Sequence, residues 1–485
     1  MSSETHLVVI GNGMAGARVV EEILQRGGRD RFCITMFGEE PQGNYNRILL
    51  SGVLSGSHDA RDIVTHPLEW YAENDITLHA GERVVGIDRE RRVVAGASGR
   101  EVPFDTLILA TGSRPRVPPI ENLRDPHGRL KAGVFLFRSL EDCRRISDYA
   151  SGCRRAVVIG GGLLGLEAAY GLSQLGVDVE VLQRAGHLMN RQLDSPAGEI
   201  LKSTIEGMGI SVRRGTTAIA AQGDERVEGL VLNDGTCLPC DMVVIACGIQ
   251  PNVELAVECG LHVERAIVVD DQMRSSDPAI YAVGECVQHR GRVYGLVAPL
   301  WEQAQVLAEH LTGRSEGASY GGSRVATRLK VMGIEVTAMG LVEPEAEHDE
   351  VVQFLEPRRG IYKKLIIRED RLLGAIFLGD GARAPYATQL FDRGSPVPED
   401  RAAVLFDLGA GTSFTPETMA EEATVCHCNG VTKAEVRECV AGGGCSLQAV
   451  MRATRAGTGC GSCKGLVREF VERFRKTADP VGAAG

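Results

Sequence analysis

Short apolar runs that end at glycine are followed by periodic stretches in two places along the chain. Residues 7–10 (LVVI) precede a glycine-rich turn and an Ala/Val/Leu-rich stretch, and residues 156–159 (AVVI) precede the same two features. A short continuous apolar run is typical of a strand buried on both faces, and the stretch behind it is typical of a helix. The pattern therefore predicts an α/β fold with two Rossmann-like lobes.

Each of the two turns has the spacing G-x-G-x-x-G between its strand and its helix. The first glycine allows the tight turn, the second lets the backbone approach a pyrophosphate, and the third lets helix and strand pack closely. The pyrophosphate then binds the unpaired N–H groups at the helix N-terminus. One match alone is weak evidence, but two matches in this context predict two bound dinucleotides. The expected binding residues are Gly11, Asn12, Gly13, Met14, Ala15 and Gly16 in the first lobe, and Gly160, Gly162, Leu163, Leu164 and Gly165 in the second.

Two further apolar strands resemble each other and end in small-residue turns followed by proline. Residues 106–109 lead to Thr111 and Gly112, and residues 242–245 lead to Gly248. We interpret these as the strands that close each nucleotide lobe before the chain crosses to the other domain. A later strand, residues 279–283, ends in glycine and a carboxylate, Glu285.

A carboxylate at the end of the second strand of such a lobe binds the adenosine ribose. The first lobe offers Glu39, with Glu40 as the alternative. The second lobe has Gln183 and Arg184 there, so Gln183 is the candidate for a ribose hydroxyl and Arg184 for a 2′-phosphate. The choice between NADH and NADPH therefore stays open. Glu167 has two interpretations, a polar contact near the nicotinamide or a charge that complements the helix dipole on the first turn.

The remaining third of the chain has a different pattern. Residues 361–367 and 373–379 flank a turn at Glu369-Asp370, which indicates an antiparallel α+β unit. Residues 380–423 have little periodicity and four prolines, as expected of a linker with short helices. We thus predict a first nucleotide domain (1–118 and 253–316), a second (119–252), an α+β domain (317–380), a linker (381–423) and a cysteine-bearing domain (424–478).

The cysteines are unevenly distributed, with six of the 14 between Cys426 and Cys463. Cys426-x-Cys428 and Cys460-x-x-Cys463 are separated by 31 residues, a spacing that indicates one four-thiolate site. An iron–sulfur centre is the favoured occupant, because the flanking Gly-rich turns let backbone amides approach the cluster sulfurs. Zinc and a pair of disulfides are the alternatives; the C-x-C spacing is tight for zinc, and disulfides are rare in the cytosol.

A second close pair, Cys237 and Cys240, follows the turn Asn233-Asp234-Gly235 at the start of a strand. A redox dithiol needs a helix N-terminus to lower a thiol pKa. We therefore interpret this pair as incidental cysteines of a hairpin.

Charge and hydropathy exclude several classes of protein. The 485 residues include 53 Lys and Arg against 64 Asp and Glu, a net charge of −11, which argues against nucleic-acid binding and a polybasic membrane anchor. No apolar run reaches the ~18 residues of a membrane span, and the N-terminus lacks the pattern of a signal peptide. We expect a cytoplasmic protein, and homo-oligomerisation stays open.

The stretches 45–51 (YNRILLS), 294–299 (YGLVAP) and 328–333 (RLKVMG) resemble the flavoprotein half of the large subunit of bacterial NAD(P)H-dependent assimilatory nitrite reductases. They are equally similar to the electron-transfer subunits of assimilatory nitrate reductases. The C-terminal cysteines resemble the bacterioferritin-associated-ferredoxin type of [2Fe-2S] domain.

The resemblance implies a glutathione-reductase-type arrangement, with FAD in the first lobe and NAD(P)H in the second. It implies that Glu39 binds the FAD ribose, that Arg47 lies near the isoalloxazine, and that Thr111 and Gly112 line the FAD site. It places Glu285 at the ribityl-phosphate region, where the usual residue is Asp. It also implies that the four C-terminal cysteines hold a [2Fe-2S] cluster.

In the nitrite reductases a further half carrying a [4Fe-4S] cluster and sirohaem follows, whereas this sequence ends at Gly485. We therefore expect a chain that delivers electrons to a separate molybdenum-dependent catalytic subunit of an assimilatory nitrate reductase. A different acceptor (a split nitrite reductase, a ferredoxin or an oxygenase) and a cluster-based redox sensor are the alternatives.

Overall fold

The computed structural model describes residues 5–315, 317–324, 326–408, 419–426, 429–444, 446–459, 461 and 463–478. The strands in this part of the chain are β1 (Thr5–Ile10), β2 (Phe32–Gly38), β3 (Asn44–Tyr45), β4 (Val64–His66), β5 (Ile76–Ala80), β6 (Val84–Asp88), β7 (Val93–Gly96), β8 (Glu101–Pro103), β9 (Thr106–Leu109), β10 (Ser113–Pro115), β11 (Val134–Leu136), β12 (Arg155–Ile159), β13 (Asp178–Gln183), β14 (Ser211–Arg214), β15 (Ala218–Gln222), β16 (Gly229–Leu232), β17 (Cys237–Pro239), β18 (Met242–Ile245), β19 (Ile249–Pro251), β20 (Ile267–Val269), β21 (Ile280–Ala282), β22 (Val287–His289), β23 (Arg292–Val293), β24 (Ala326–Val331), β25 (Ile334–Gly340), β26 (Glu350–Glu356), β27 (Ile361–Arg368), β28 (Arg371–Leu378), β29 (Thr424–Cys426) and β30 (Val431–Thr432).

The helices of the same residues are α1 (Met14–Gln25), α2 (Leu50–Leu54), α3 (Leu68–Glu73), α4 (Leu140–Ala150), α5 (Leu163–Gln174), α6 (Ser195–Gly207), α7 (Glu254–Glu258), α8 (Val297–Thr312), α9 (Ala384–Arg393), α10 (Ala402–Leu405), α11 (Lys433–Ala441), α12 (Leu447–Thr454) and α13 (Lys464–Ala478). None of them is both long enough and apolar enough to cross a lipid bilayer.

The chain divides into two compact units. The first comprises Met1–Arg47, His58–Pro115 and Ile249–Ser323, and the second comprises Ile48–Ser57, Arg116–Gly248 and Arg324–Gly485. The boundaries that we predicted for the individual domains stay predictions.

The first unit is built on a five-stranded parallel sheet of order β21-β9-β1-β2-β5. Its central strand β1 is apolar because both of its faces are covered, and Leu7 and Val9 are fully buried. Helices α1 and α8 pack against each other. This is the first of the two predicted Rossmann-like lobes.

The second unit contains the other lobe, a parallel sheet of order β11-β18-β12-β13-β14. It also contains a five-stranded antiparallel sheet of order β24-β25-β28-β27-β26, the predicted α+β unit. The C-terminal segment has the short β29–β30 pair and helices α11 to α13 around its own apolar core. The predicted fold class is confirmed in all of these parts.

Part of the segment that we predicted as a linker is packed onto the antiparallel sheet. Helices α9 and α10 contribute Leu390, Phe391 and Val404 to the same core as Leu365 and Phe377 of the sheet. Pro385, one of the prolines that suggested a linker, lies in the first turn of α9, where it costs no hydrogen bond.

Candidate functional site

The first glycine turn has the shape that its spacing predicts. Gly11 has φ +115°, and a Cβ on it would overlap the carbonyl oxygen of Ala110 on the neighbouring strand's end. A Cβ on Gly16 would overlap the carbonyl oxygen of Gly11, so helix α1 packs directly on the turn. A Cβ on Gly13, in contrast, would meet no described atom within 4 Å. The first and third glycines serve packing, and the second borders open space.

The second turn repeats this geometry at each position. Gly160 has φ +126° and leaves no room for a Cβ beside Ala246, and Gly165 leaves none beside Gly160. Gly162 again has nothing within 4 Å of an added Cβ. Two unrelated loops would not share three such constraints, so both turns are built for the same kind of ligand.

The helices behind the turns begin without a side-chain cap. Gly13 is the N-cap of α1 and Gly162 is the N-cap of α5, and neither helix has a side-chain hydrogen bond at this position. Their first N–H groups are therefore available to an anion in the open space beside the second glycine. The residues present fit a pyrophosphate in each lobe.

A set of buried polar side chains holds the first turn in place, and the sequence did not reveal it. The Tyr71 hydroxyl donates to Asn12 Oδ1 at 2.7 Å, and Asn44 Nδ2 donates to the Asn12 carbonyl at 3.1 Å. Burial raises the pKa of Tyr71 to about 12, so the hydroxyl stays protonated and remains a donor. These partners lie 59 and 32 residues from Asn12 along the chain, and only the fold brings them together.

The two candidate carboxylates at the end of β2 differ in their surroundings. Glu40 pairs with Arg47 and accepts from the Tyr45 hydroxyl at 2.8 Å. Glu39 is exposed. Because Glu40 is occupied by protein partners, Glu39 remains the better candidate for the FAD ribose, and that contact stays a prediction.

Arg47 lies beside Tyr45 and Glu40, close to the end of β2. Its guanidinium stands 4.9 Å from the centre of the Tyr45 ring. Burial alone would lower the pKa of Arg47, but the charges of nearby groups, including Glu40 and Glu285, raise it above its ordinary value. The fold thus gathers Arg47 and Glu285, which are far apart in sequence, while the position of Arg47 relative to an isoalloxazine stays a prediction.

The Thr111–Gly112 turn is hydrogen-bonded to Asn252, the residue that follows β19. Thr111 Oγ1 donates to the Asn252 carbonyl at 2.8 Å, and Asn252 Nδ2 donates to the Thr111 carbonyl at 2.8 Å. Gly112 has φ +65°, and its carbonyl accepts from the Asn252 N–H at 2.9 Å. Asn252 therefore fixes both residues that we predicted to line the FAD site.

Glu285 accepts a hydrogen bond from the first residue of β10, since Ser113 Oγ donates to Glu285 Oε2 at 2.7 Å. The preceding Gly284 donates its N–H to Gln303 Oε1 of α8 at 2.9 Å. Gln303 is fully buried, and its Nε2 has no hydrogen-bond partner among the described residues. A buried amide without a partner costs about 1–3 kcal/mol, so Gln303 is a further candidate for contact with the cofactor or its water.

The second lobe places Gln183 differently from our expectation of an available ribose ligand. Gln183 is buried, its Oε1 accepts from the Gly161 N–H at 3.0 Å, and its Nε2 donates to the His187 carbonyl at 3.0 Å. The side chain therefore supports the glycine turn. A contact with the ribose stays a prediction.

Two other predicted residues of this lobe are located. Gly248 has φ +117° and borders open space, as the turn requires. Glu167 is half-buried and is the fifth residue of α5. It lies beyond the first helical turn, so the interpretation as a dipole charge on that turn is wrong, and the nicotinamide contact stays a prediction.

Arg184 follows Gln183 and is exposed. We expect the chain to accept NADPH as well as NADH, because Arg184 can pair with a 2′-phosphate. Replacing Arg184 by alanine should lower kcat/KM for NADPH about tenfold relative to NADH, the equivalent of one charge-assisted hydrogen bond. Arg213→Ala on β14 is the control, because Arg213 pairs with Glu180. An unchanged coenzyme ratio in Arg184→Ala would show that this arginine is merely solvated.

Two of the four predicted cluster ligands lie in the part of the chain that the structure describes. Cys426 and Cys463 are buried in the core of the C-terminal segment. Cys428 and Cys460 lie outside the described residues. Among the described residues no group of three or more metal-binding side chains is found. Cys439 is half-exposed, and burial raises the pKa of its thiol.

Cys237 and Cys240 lie at the β16–β17 hairpin. Cys240 is buried, which raises the pKa of its thiol to about 12. A thiol with so high a pKa is a poor nucleophile, in agreement with the interpretation of this pair as incidental cysteines of a hairpin.

Three family models match the chain in succession. A pyridine nucleotide-disulphide oxidoreductase model matches residues 5–307, a rubredoxin NAD+ reductase C-terminal domain matches residues 326–394, and a BFD-like [2Fe-2S] binding domain matches residues 424–473. The C-terminal domain is thus an iron–sulfur domain, and the zinc and disulfide alternatives are set aside.

The chain is 43% identical to a nitrite reductase [NAD(P)H] of Bacillus subtilis over 96% of its own length and 57% of that protein. It is 38% identical to the assimilatory nitrate reductase electron transfer subunit of the same organism, again over 96% of its length and 59% of the relative. The chain therefore spans less than two thirds of these relatives.

A ferredoxin reductase from Rhodopseudomonas palustris has a similar structure, with 27% identity and a TM-score of 0.72 over 81% of this chain and 96% of that one. The two glycine turns, the parallel sheets and a family model that covers more than half of the chain agree. The chain is an NAD(P)H-dependent FAD oxidoreductase with a [2Fe-2S] domain, and it belongs to the pyridine nucleotide-disulphide oxidoreductase family.

Proposed function

We propose that the protein passes electrons from NAD(P)H through FAD and a [2Fe-2S] cluster to a separate catalytic subunit. The observation that carries the proposal is the pair of equivalent glycine turns in one chain with an iron–sulfur domain. When bound, FAD would supply two-electron chemistry toward NAD(P)H and one-electron chemistry toward the cluster, and the cluster would supply one-electron transfer. A chain with all three sites is a converter between a hydride donor and a one-electron acceptor.

The residues of the chain have binding and positioning roles in this proposal. The N–H groups of α1 and α5 bind the two pyrophosphates. Asn252 holds the Thr111 turn, and Ser113 orients Glu285 toward the FAD site. Cys426, Cys428, Cys460 and Cys463 hold the cluster as thiolates.

The acceptor that we propose is the molybdenum-dependent subunit of an assimilatory nitrate reductase, in the cytoplasm. Similarity to the electron transfer subunit of such an enzyme supports it. A sirohaem-bearing nitrite reductase component is the second candidate, supported by the 43% identity to a nitrite reductase. Incubating the protein and NADH with each catalytic component, and following nitrate-dependent and nitrite-dependent NADH oxidation, distinguishes the two.

Replacing Cys463 by serine tests the relay itself. We expect the cluster to be lost, NADH to bleach the flavin at the normal rate, and electron delivery to the partner to fall at least tenfold, since removing a thiolate ligand leaves a three-cysteine site. Stopped-flow absorbance and partner-coupled NADH oxidation measure the two steps.

Cys439→Ser is the matched control, because Cys439 lies in the same domain but has no ligand spacing. It should retain the cluster and both rates. Equal partner reduction in Cys463→Ser and the unaltered protein would contradict a route through the cluster and leave a plain flavin reductase.

A further inference from the structure

The two cysteine-bearing loops of the C-terminal domain are tied together by one side chain, that of Asn429. This residue belongs to the first loop, just after Cys428. Its Nδ2 lies 2.6 Å from the Arg455 carbonyl and 3.2 Å from Thr458 Oγ1, both in the loop that leads to Cys460 and Cys463. One amide therefore links the segments that carry the two ligand pairs.

The same nitrogen also faces a ligand sulfur. Asn429 Nδ2 lies 3.7 Å from Cys426 Sγ, within the usual range of a hydrogen bond to sulfur. An amide has two N–H groups, so one can serve the Arg455 carbonyl while the other is shared by Cys426 Sγ and Thr458 Oγ1.

The Arg455 carbonyl, which accepts from Asn429 in the second loop, is itself held by further hydrogen bonds. Arg455 ends helix α12 in a left-handed conformation, with φ +62°. Its carbonyl also accepts from the Thr458 N–H at 3.2 Å and from Thr458 Oγ1 at 2.8 Å. The backbone at this position is thus fixed from both loops, and the Asn429 amide is held in place when it reaches the sulfur.

We propose that Asn429 is a positioning residue that raises the reduction potential of the [2Fe-2S] cluster by donating a hydrogen bond to the Cys426 sulfur. Reduction adds negative charge to the cluster and its thiolates, and a hydrogen bond to sulfur is stronger in the more negative state. The bond therefore favours the reduced form and makes the cluster a better acceptor. The inference rests on the proposed function only in taking Cys426 as a ligand.

The test is an EPR-monitored redox titration of the full-length protein, poised with dithionite and dye mediators. In Asn429→Leu, which has no donor, we expect the ratio of reduced to oxidised cluster at a fixed potential to fall about tenfold, equivalent to a drop of about 59 mV for a one-electron couple. Asn429→Asp should shift in the same direction and further, because its carboxylate adds a negative charge. Thr458→Val removes an acceptor that competes for the Asn429 amide but keeps the amide and the sulfur, so its midpoint should not fall.

If Asn429→Leu lost its cluster while Thr458→Val retained it, the role of the Asn429 amide in linking the two loops would be supported. The midpoint potential would then be measured in Asn429→Asp. Pulsed EPR of the unaltered protein in D2O gives a readout without any substitution. A deuteron of the Asn429 amide is expected to couple to the cluster in addition to those of backbone amides, and Asn429→Asp should lack that contribution.

Unchanged midpoints in the loaded Asn429 variants, or a deuteron signal that is the same with and without the amide, would overturn the inference. These outcomes are independent of the relay, because mediators set the potential without NADH. Failure of the ligand assignment itself would appear separately, as a cluster that persists in Cys426→Ser.

Discussion

Gly162→Asp is expected to lower the rate of flavin reduction by NADH at least a hundredfold, while the protein still folds and keeps FAD. An added Cβ at Gly162 meets no described atom within 4 Å, and its φ of −87° suits any residue. The carboxylate would instead occupy the open space at the start of α5, where it excludes the pyrophosphate by bulk and by charge. The measurement is anaerobic stopped-flow absorbance of the flavin.

The equivalent change in the first lobe is the matched control. Gly13 has the same open surroundings and φ −79°, so Gly13→Asp should yield a folded protein that is purified without FAD but still binds NADH. Dithionite should bleach the flavin of Gly162→Asp normally, which separates loss of nucleotide binding from loss of flavin. If Gly162→Asp were reduced by NADH at the normal rate, the second turn would not be the nicotinamide site.

Replacing Lys364 by methionine is expected to destabilise the second unit by about 3–5 kcal/mol, the usual cost of leaving a buried charge without its partner. Lys364 Nζ lies 2.8 Å from Asp194 Oδ2 and 2.8 Å from Glu343 Oε2, and Asp194 and Lys364 are 2% and 4% exposed. Asp194 also accepts from the Ala197 N–H at 3.1 Å and so caps α6. Urea unfolding followed by circular dichroism measures the loss.

The double variant Asp194→Asn/Lys364→Met is expected to be more stable than Lys364→Met alone, because it removes both charges and keeps the cap acceptor. Arg359→Gln is the control for a general effect of charge, since its pair with Glu356 is exposed and should change stability by less than about 1 kcal/mol. If Lys364→Met lowered the free energy of unfolding by less than about 1 kcal/mol, the Asp194–Lys364 ion pair would contribute little to stability despite its burial.

The pKa of Lys364 determines how the stability contributed by this ion pair depends on pH. Burial opposes its charge, but hydrogen bonds to Asp194 and Glu343 raise the pKa of Lys364 above its ordinary value. A raised pKa of a cation in the folded state stabilises the fold below the ordinary lysine pKa of ~10.4. The contribution is therefore complete at neutral pH and is lost as the pH rises through the folded-state pKa.

The sequence alone was sufficient for features that depend on local spacing. The glycine positions of both turns follow from backbone geometry, since a left-handed φ or a missing Cβ can be recognised from residue type. Alternating strands and turns likewise indicated the antiparallel unit that contains β27 and β28.

Features that depend on long-range contacts were not predictable from spacing. Asn252 and Thr111 are 141 residues apart, and nothing near either residue indicates that they share two hydrogen bonds. Lys364 was assigned to a strand, but its burial depends on Asp194, which is 170 residues away. Gln183 occupies the expected ribose position, yet the fold turns its carboxamide into the Gly161 loop.

An anaerobic titration with NADH, followed by visible absorbance and low-temperature EPR on the same samples, tests the proposed relay most directly. We expect the flavin bands to bleach first and the signal of a reduced [2Fe-2S] cluster then to appear without any added mediator. A flavin that bleaches completely while the cluster stays oxidised, although dithionite reduces it, would contradict electron transfer from FAD to the cluster.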